Sequence, residues 1–323
     1  MEPRLTPLNG VLALLRDDSA WFSDLAKQGL RLHGLEVPVQ STPGVIKVDV
    51  VAYRVDPPLV LLVEIKQGAS LAERQSLGYV NATKEGLLQR GALPAELRHI
   101  ADIEVRPLWA TLEASADAVR RRLLDLGIAA PVLGVGRGRA FLGGPLPSGL
   151  VAFDHSEKKR GLPPARVRLD AESDVGEYVP LVLQHIVAAL SRREGVIELE
   201  AVARRVVADW ACLSQSGRRD IVKRCRKAVE YLQREGWGGD LLLESSNDVA
   251  PRVRFTRTPA DADPRGAPQA WQRLERMARK ALAGDGPLHV EEPAQLSFDD
   301  LAGEDEADVE RPEEADAGDP DGG

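Results

Sequence analysis

The sequence predicts an α/β (α+β) fold: a mixed sheet flanked by helices, followed by a mainly α domain and an acidic tail. Three observations carry this. Two apolar, β-branched runs, Ile46 to Val55 and Leu59 to Gln67, stand on either side of the turn signal Asp56-Pro57-Pro58 and read as paired strands. They are followed by alternating helical and strand patterns up to residue 135, the mark of layered sheet and helix. Beyond residue 178 the 3.6-residue period takes over, and beyond residue 284 acid, Pro and Gly leave too few apolar residues to fold.

Each element has its own signal. Ser19 is a plausible N-cap for a helix over Ser19 to Leu32, ahead of the two strands. Ser70 to Arg90, apolar at Leu71, Leu77, Val80, Leu87 and Leu88, reads as one helix. Arg106 to Glu113 reads as a strand, Ser115 to Leu126 as a helix and Pro131 to Val135 as a last strand. Gly143 to Glu177 is rich in Pro, Gly and charge, which marks a linker or an arm laid across the first domain. Helices are expected over Val179 to Ser191, Leu199 to Trp210 and Gly217 to Arg234. A hairpin of Asp240 to Glu244 and Arg252 to Thr256 follows them, and Pro268 is placed to start one more helix ending at Ala283. The expected organisation is thus 1–142 for the first domain, 143–177 for the arm, 178–258 for the second domain, 259–284 for a linker and helix, and 285–323 for a disordered tail.

Charge is unevenly placed. The net charge is −8, yet residues 291–323 hold 14 Asp and Glu against the single Arg311, so residues 1–290 are net basic. The excess lies in the second domain, where a polyanion is the natural partner. No apolar run approaches the roughly 18 residues of a membrane span. The Met1-Glu2-Pro3-Arg4 start lacks the basic-then-apolar order of a secretion signal, which points to the cytoplasm. Two cysteines, Cys212 and Cys225, are too few for a disulfide framework and too far apart for a CxxC half-site, so both are expected reduced and buried.

The chemistry sits on the first two strands. Residues two apart on a strand share a face, so Glu64 and Lys66 stand about 7 Å apart on one face while Leu61, Val63 and Ile65 take the other. Asp49, on the preceding strand, completes a set of two carboxylates and one ammonium at a sheet edge. A Glu-x-Lys pair alone is an ordinary surface ion pair. With Asp49 beside it, the set suits a Mg²⁺- or Mn²⁺-dependent phosphodiesterase: Asp49, Glu64 and the Ile65 carbonyl offer hard oxygen ligands, and Lys66 is placed to orient water or stabilise transition-state charge. Gln75 and Tyr79, at i and i+4 on the next helix, share one face and are placed to hold the substrate backbone or brace the site.

Asp49, fourteen intervening residues, then Glu64-Ile65-Lys66 resembles the PD-(D/E)xK nuclease superfamily, the restriction-endonuclease-like fold. Gln75-Ser76-Leu77-Gly78-Tyr79 has the Gln-x-x-x-Tyr spacing of its RecB-type branch, and Gly44 to Asp49 resembles that branch's lead into its metal-binding aspartate. The resemblance covers roughly residues 20–135 and implies Asp49, Glu64, Lys66, Gln75 and Tyr79 as catalytic residues. Val48 stands where many relatives have Pro. Many relatives also draw a further acidic ligand from the first helix; Asp24 and Glu36 are the candidates here, and the fourth ligand stays open between them.

The second domain has the pattern of a winged helix-turn-helix. In its third helix Ile221, Val222, Cys225, Ala228, Val229 and Leu232 make the inward stripe, and Arg219, Lys223, Arg226 and Lys227 a basic one. With Arg218 beside that stripe and Arg252, Arg254 and Arg257 on the wing, the expectation is a grip on DNA phosphates. Gln295 to Leu301, the one apolar island of the tail, faintly resembles a partner-docking peptide. Together these features predict a metal-dependent DNA nuclease for repair, restriction or defence. The alternative is a non-catalytic DNA-binding regulator or adaptor that keeps the fold.

Overall fold

The computed structural model describes residues 5–256 except 43, 238 and 247–248, together with helical residues within 272–282. The expected strands 46–55 and 59–67 are β2 (Val45–Arg54) and β3 (Leu59–Lys66) of a seven-stranded mixed sheet whose spatial order follows the chain. The others are β1 (Arg31–Gln40), β4 (Glu104–Leu112), β5 (Val132–Gly136), β6 (Arg139–Gly143) and β7 (Phe153–Ser156). The central pairs β3/β4 and β4/β5 are parallel and the outer pairs antiparallel. Parallel neighbours need crossovers. α3 (Glu73–Val80) and α4 (Lys84–Gln89) supply the first and α5 (Ala116–Asp125) the second.

These helices cover one face of the sheet, where Tyr79, Leu87, Val119 and Leu123 bury Val51, Val60, Leu62 and Trp109. The opposite face buries Val50, Leu61, Val63, Leu108 and Leu133 under α1 (Leu5–Leu14) and the C-terminal helices. Those helices are α6 (Val175–Arg192), α7 (Leu199–Ala203) and α8 (Gln215–Leu232), joined by a three-stranded sheet in the order β8 (Val196–Glu198), β10 (Val249–Phe255), β9 (Leu241–Ser246). One apolar core runs from α1 and the sheet into α6 and α8.

Several sequence expectations are corrected. The helix expected over 19–32 is only α2 (Asp24–Lys27): Gly29 takes a φ of 79°, reversing the chain into β1, and the Ser19 hydroxyl accepts from Trp21 N–H in a turn rather than capping a helix. Apolar and polar residues of β1 do not alternate cleanly around Gly34 and Pro38, which hid this strand. The single helix expected over 70–90 breaks at Asn81, and Thr83 accepts from Gly86 N–H to restart it as α4. The helix expected over 199–210 stops at Ala203, although Val206 and Val207 stay buried in the irregular segment that follows. Arg137-Gly138, with Gly138 at φ 63°, turns β5 back into β6, and β7 lies inside the stretch read as a linker.

α1 carries no strong helix signal because Pro7 and Gly10 lie within it. Gly10 is there for packing: a Cβ would stand 2.5 Å from a Val135 methyl. Arm residues 166–168 run against α1 and the segment after α7. Asn9 Nδ2 donates to Val167 O at 2.9 Å, and Asn9 Oδ1 accepts from Arg166 and Val167 N–H at 2.8 Å each. The tail, including Gln295 to Leu301, lies outside the described residues. Within 272–282 the described residues are helical, and Ala278 is buried.

Both cysteines are free thiols, Cys225 buried in α8 and Cys212 half-buried. Burial pushes the Cys225 thiol up to about 12, so little thiolate forms at pH 8. A soluble thiol reagent at that pH is expected to modify Cys212 alone in the native protein, and both after denaturant is added. Equal native rates at the two positions, read by mass spectrometry, would contradict the packing of α8.

Candidate active site

The strand register assembles the site. Val50 pairs with Val63 across β2 and β3, so the next step along the two strands sets Asp49 beside Glu64. Asp49 Oδ2 accepts from Ile65 N–H at 2.7 Å, which fixes the aspartate at the end of the β2/β3 ladder. Glu64 is 3% exposed. Its Oε1 lies 2.6 Å from Lys66 Nζ, and that ammonium also donates to Gln75 Oε1 at 3.3 Å. The structure thus brings Asp49, Glu64, Ile65, Lys66 and Gln75 together at one cavity of about 350 Å³.

Tyr79 plays a different part. It is 1% exposed, its ring sits 6.2 Å from Trp109, and its hydroxyl donates to Lys47 O at 3.2 Å. It therefore braces β2 two residues before Asp49 and does not line the cavity. Gly78 makes this close seat for α3, since a Cβ there would meet an Ile46 methyl at 2.5 Å.

Between the two acids of the fourth-ligand question the structure separates clearly. Asp24 Oδ1 lies 2.8 Å from His155 Nε2 and is not at the cavity. Glu36 lines it. Leu35 pairs with Val50 and Val37 with Val48, so Glu36 falls opposite Asp49, and Glu36, Asp49 and Glu64 occupy corresponding places on three adjacent strands. Glu36 has a φ of 56°, a conformation costly for a residue with a Cβ, and its carboxylate is ion-paired with Lys47. Two further acids, Asp170 and Glu172 of the arm, line the same cavity. Sequence reasoning missed them because the arm's contact with a sheet more than 100 residues away has no local signal.

The electrostatics are those of crowded buried carboxylates. Burial, then the neighbouring Glu64 carboxylate, pushes Asp49 from 3.8 up to about 8. Glu64 is raised by burial against the pull of Lys66, and Tyr79 is raised well above its ordinary range by burial and the two carboxylates. Glu64 Oε2 is buried and makes no hydrogen bond of ordinary geometry, although the Tyr79 hydroxyl, which donates to Lys47 O, lies close enough to favour the ionised carboxylate. Buried carboxylate oxygens are ordinarily paired or bound to a metal, so two adjacent acids with one orphaned oxygen are a donor set that fits a hard divalent cation. Among the described residues, no three His, Cys, Asp or Glu side chains cluster closely enough to make a metal cage by themselves.

The basic residues of the C-terminal part divide. Arg219 and Lys223 are exposed on α8. Arg226 pairs with Glu230 at 2.8 Å, and Lys227 is half-buried. Arg218 lies over Trp210, 5.9 Å from the ring centroid, and donates to Ala211 O at 2.7 Å. Arg252 and Arg254 both close on Glu244 of β9, at 2.6 Å each. Arg257 lies outside the described residues. Arg224, not singled out from sequence, is buried and donates to Ala171 O at 2.6 Å, tying α8 to the arm.

Compared with protein-family models, with curated proteins and with solved structures, the chain matches none. Among the described residues, no helix is long and apolar enough to cross a membrane.

Proposed function

We propose that the chain is a metal-dependent DNA nuclease that hydrolyses phosphodiester bonds at the Asp49, Glu64, Lys66 site. The observation that carries this reading is the pair of adjacent buried carboxylates, one with an orphaned oxygen, beside an ammonium already held by two partners. Asp49 and Glu64, with the Ile65 carbonyl, would hold Mg²⁺ or Mn²⁺, which supplies Lewis-acid polarisation of the scissile phosphate and a water of lowered pKa.

The chain's own groups do the rest. Lys66 is a fixed cation at the cavity wall, placed to donate to a phosphate oxygen and to stabilise the charge that grows there in the transition state. Gln75 holds that ammonium by its amide oxygen, so the cation is oriented before substrate arrives. Tyr79 positions Asp49 through the backbone of β2. The C-terminal helices and three-stranded sheet are read as a winged helix-turn-helix that binds DNA phosphates, and Arg219 and Lys223 are exposed cations on its α8.

The test is cleavage of DNA with Mg²⁺ or Mn²⁺ by the wild-type protein, Glu64→Ala and Lys66→Ala. Both substitutions are expected to lower the rate by roughly 10²-fold or more, the usual cost of removing one transition-state contact, with DNA binding retained. Equal cleavage by all three proteins refutes the assignment. DNA binding that metal does not change, with no cleavage by the wild type under any condition, would instead favour a non-catalytic DNA-binding regulator or adaptor.

A further inference from the structure

We propose that this site admits one nucleic-acid strand at a time and shuts out the intact duplex, so that its substrate is single-stranded DNA; the inference rests on the nuclease reading above. The site is walled in: the strand-borne carboxylates share one cavity with residues of the first turns of α8, of the arm and of α1, which we read as its roof.

Both pillars of the roof are tied down. On the α8 side Ser214 N–H donates to Leu35 O at 2.9 Å, and a Cβ on Gly217 would stand 3.0 Å from the Glu36 Cβ, so α8 starts in direct contact with the sheet. On the arm side Asn9 makes three hydrogen bonds to residues 166 and 167, Arg224 holds Ala171 O, and Tyr178 OH donates to Asp170 O at 2.7 Å. The apolar side chains of sheet, α1, α6 and α8 belong to one core. Lifting the roof would expose them at roughly 25 cal/mol for every Å² of apolar surface, which sets the closed form as the working one.

A cavity of about 350 Å³ is at the small end of ligand sites and takes one nucleotide-sized group. Its lining is mixed. Asp49, Glu64 and Lys66 supply the groups where a phosphate and its cation would sit, and Leu8, Leu213 and Ile221 supply apolar surface. A single-stranded nucleotide has an unpaired base free to lie against such a surface while its phosphate reaches the polar groups. In a duplex the base is stacked and paired, and the second strand brings a further line of phosphates toward Glu36, Asp170 and Glu172.

The experiment uses the full chain with Mn²⁺ and one internally labelled linear DNA, offered alone and annealed to its complement, with Glu64→Ala as the control. The single strand is expected to be cut at least tenfold faster than the blunt duplex. Cleavage of the duplex by the wild type at an equal or greater rate overturns the inference and leaves the nuclease reading standing. If neither form is cut by the wild type, the nuclease reading fails and this inference falls with it.

Discussion

Asp49→Asn is expected to raise the melting temperature of the cation-free protein at pH 8 while lowering Mg²⁺-supported cleavage by about 10³-fold. In the unfolded chain the carboxyl titrates near its ordinary value of 3.8, and in the fold near about 8. Between those values the native state binds more protons than the unfolded one, so this group takes stability away as pH rises from about 4 to about 8. Above that window both states are ionised and the deficit is complete. Asparagine keeps an oxygen to accept from Ile65 N–H and has no charge to set against Glu64, so it removes the deficit.

The gain at pH 8 is on the order of 1–3 kcal/mol after relaxation around the site, or several degrees in Tm. At pH 4 it should shrink toward zero. Urea denaturation of both proteins at the two pH values checks this, and a gain that does not change with pH would rule out Asp49 titration as the source. Adding Mn²⁺ at pH 8 should stabilise the wild type and leave the variant where it was.

Asn9→Ala is expected to cost about 2–4 kcal/mol, because it orphans the N–H and C=O of buried Val167 and takes one of two acceptors from the Arg166 N–H, which keeps Pro164 O. Its side chain is fully buried, so water cannot replace the lost partners without opening α1 from the arm. The arm should then become the first place a protease enters. Limited digestion by an Arg-specific protease is expected to cut at Arg166 and Arg168 well before any other site in the variant. An unchanged digestion pattern, or a stability loss under about 1 kcal/mol, would show that the arm is held by other contacts.

The site core was legible because its signal is short and strand-borne: a strand period of two puts Glu64 and Lys66 on one face, and Asp49 is one hairpin away. The mixed sheet with flanking helices was legible for the same reason, since β2, β3, α5 and β5 have strong local patterns. What escaped is what tertiary contact decides. β1 is irregular around Gly34 and Glu36, α1 carries Pro and Gly, and β7 is an edge strand of four residues in a polar stretch. Asp170 and Glu172 reach the cavity through contacts distant in sequence that hold the arm in place, among them Asn9, 158 residues from Val167, and Arg224 on Ala171 O. The basic stripe of α8 was readable, but its partners were not: Glu230 and Glu244 take up three of the expected DNA-binding arginines.

The Asn9 clamp also sets an order of events during synthesis. When the ribosome has delivered residues up to β7, every strand of the large sheet exists, yet the partners of Asn9 and the helices that bury α1 and the far sheet face have still to emerge. The nascent chain must therefore carry an uncovered apolar sheet face until α6 and α8 arrive, a window in which a chaperone has something to hold. A chain ended at that point would keep the strands of the candidate site and leave that face to water and to other chains.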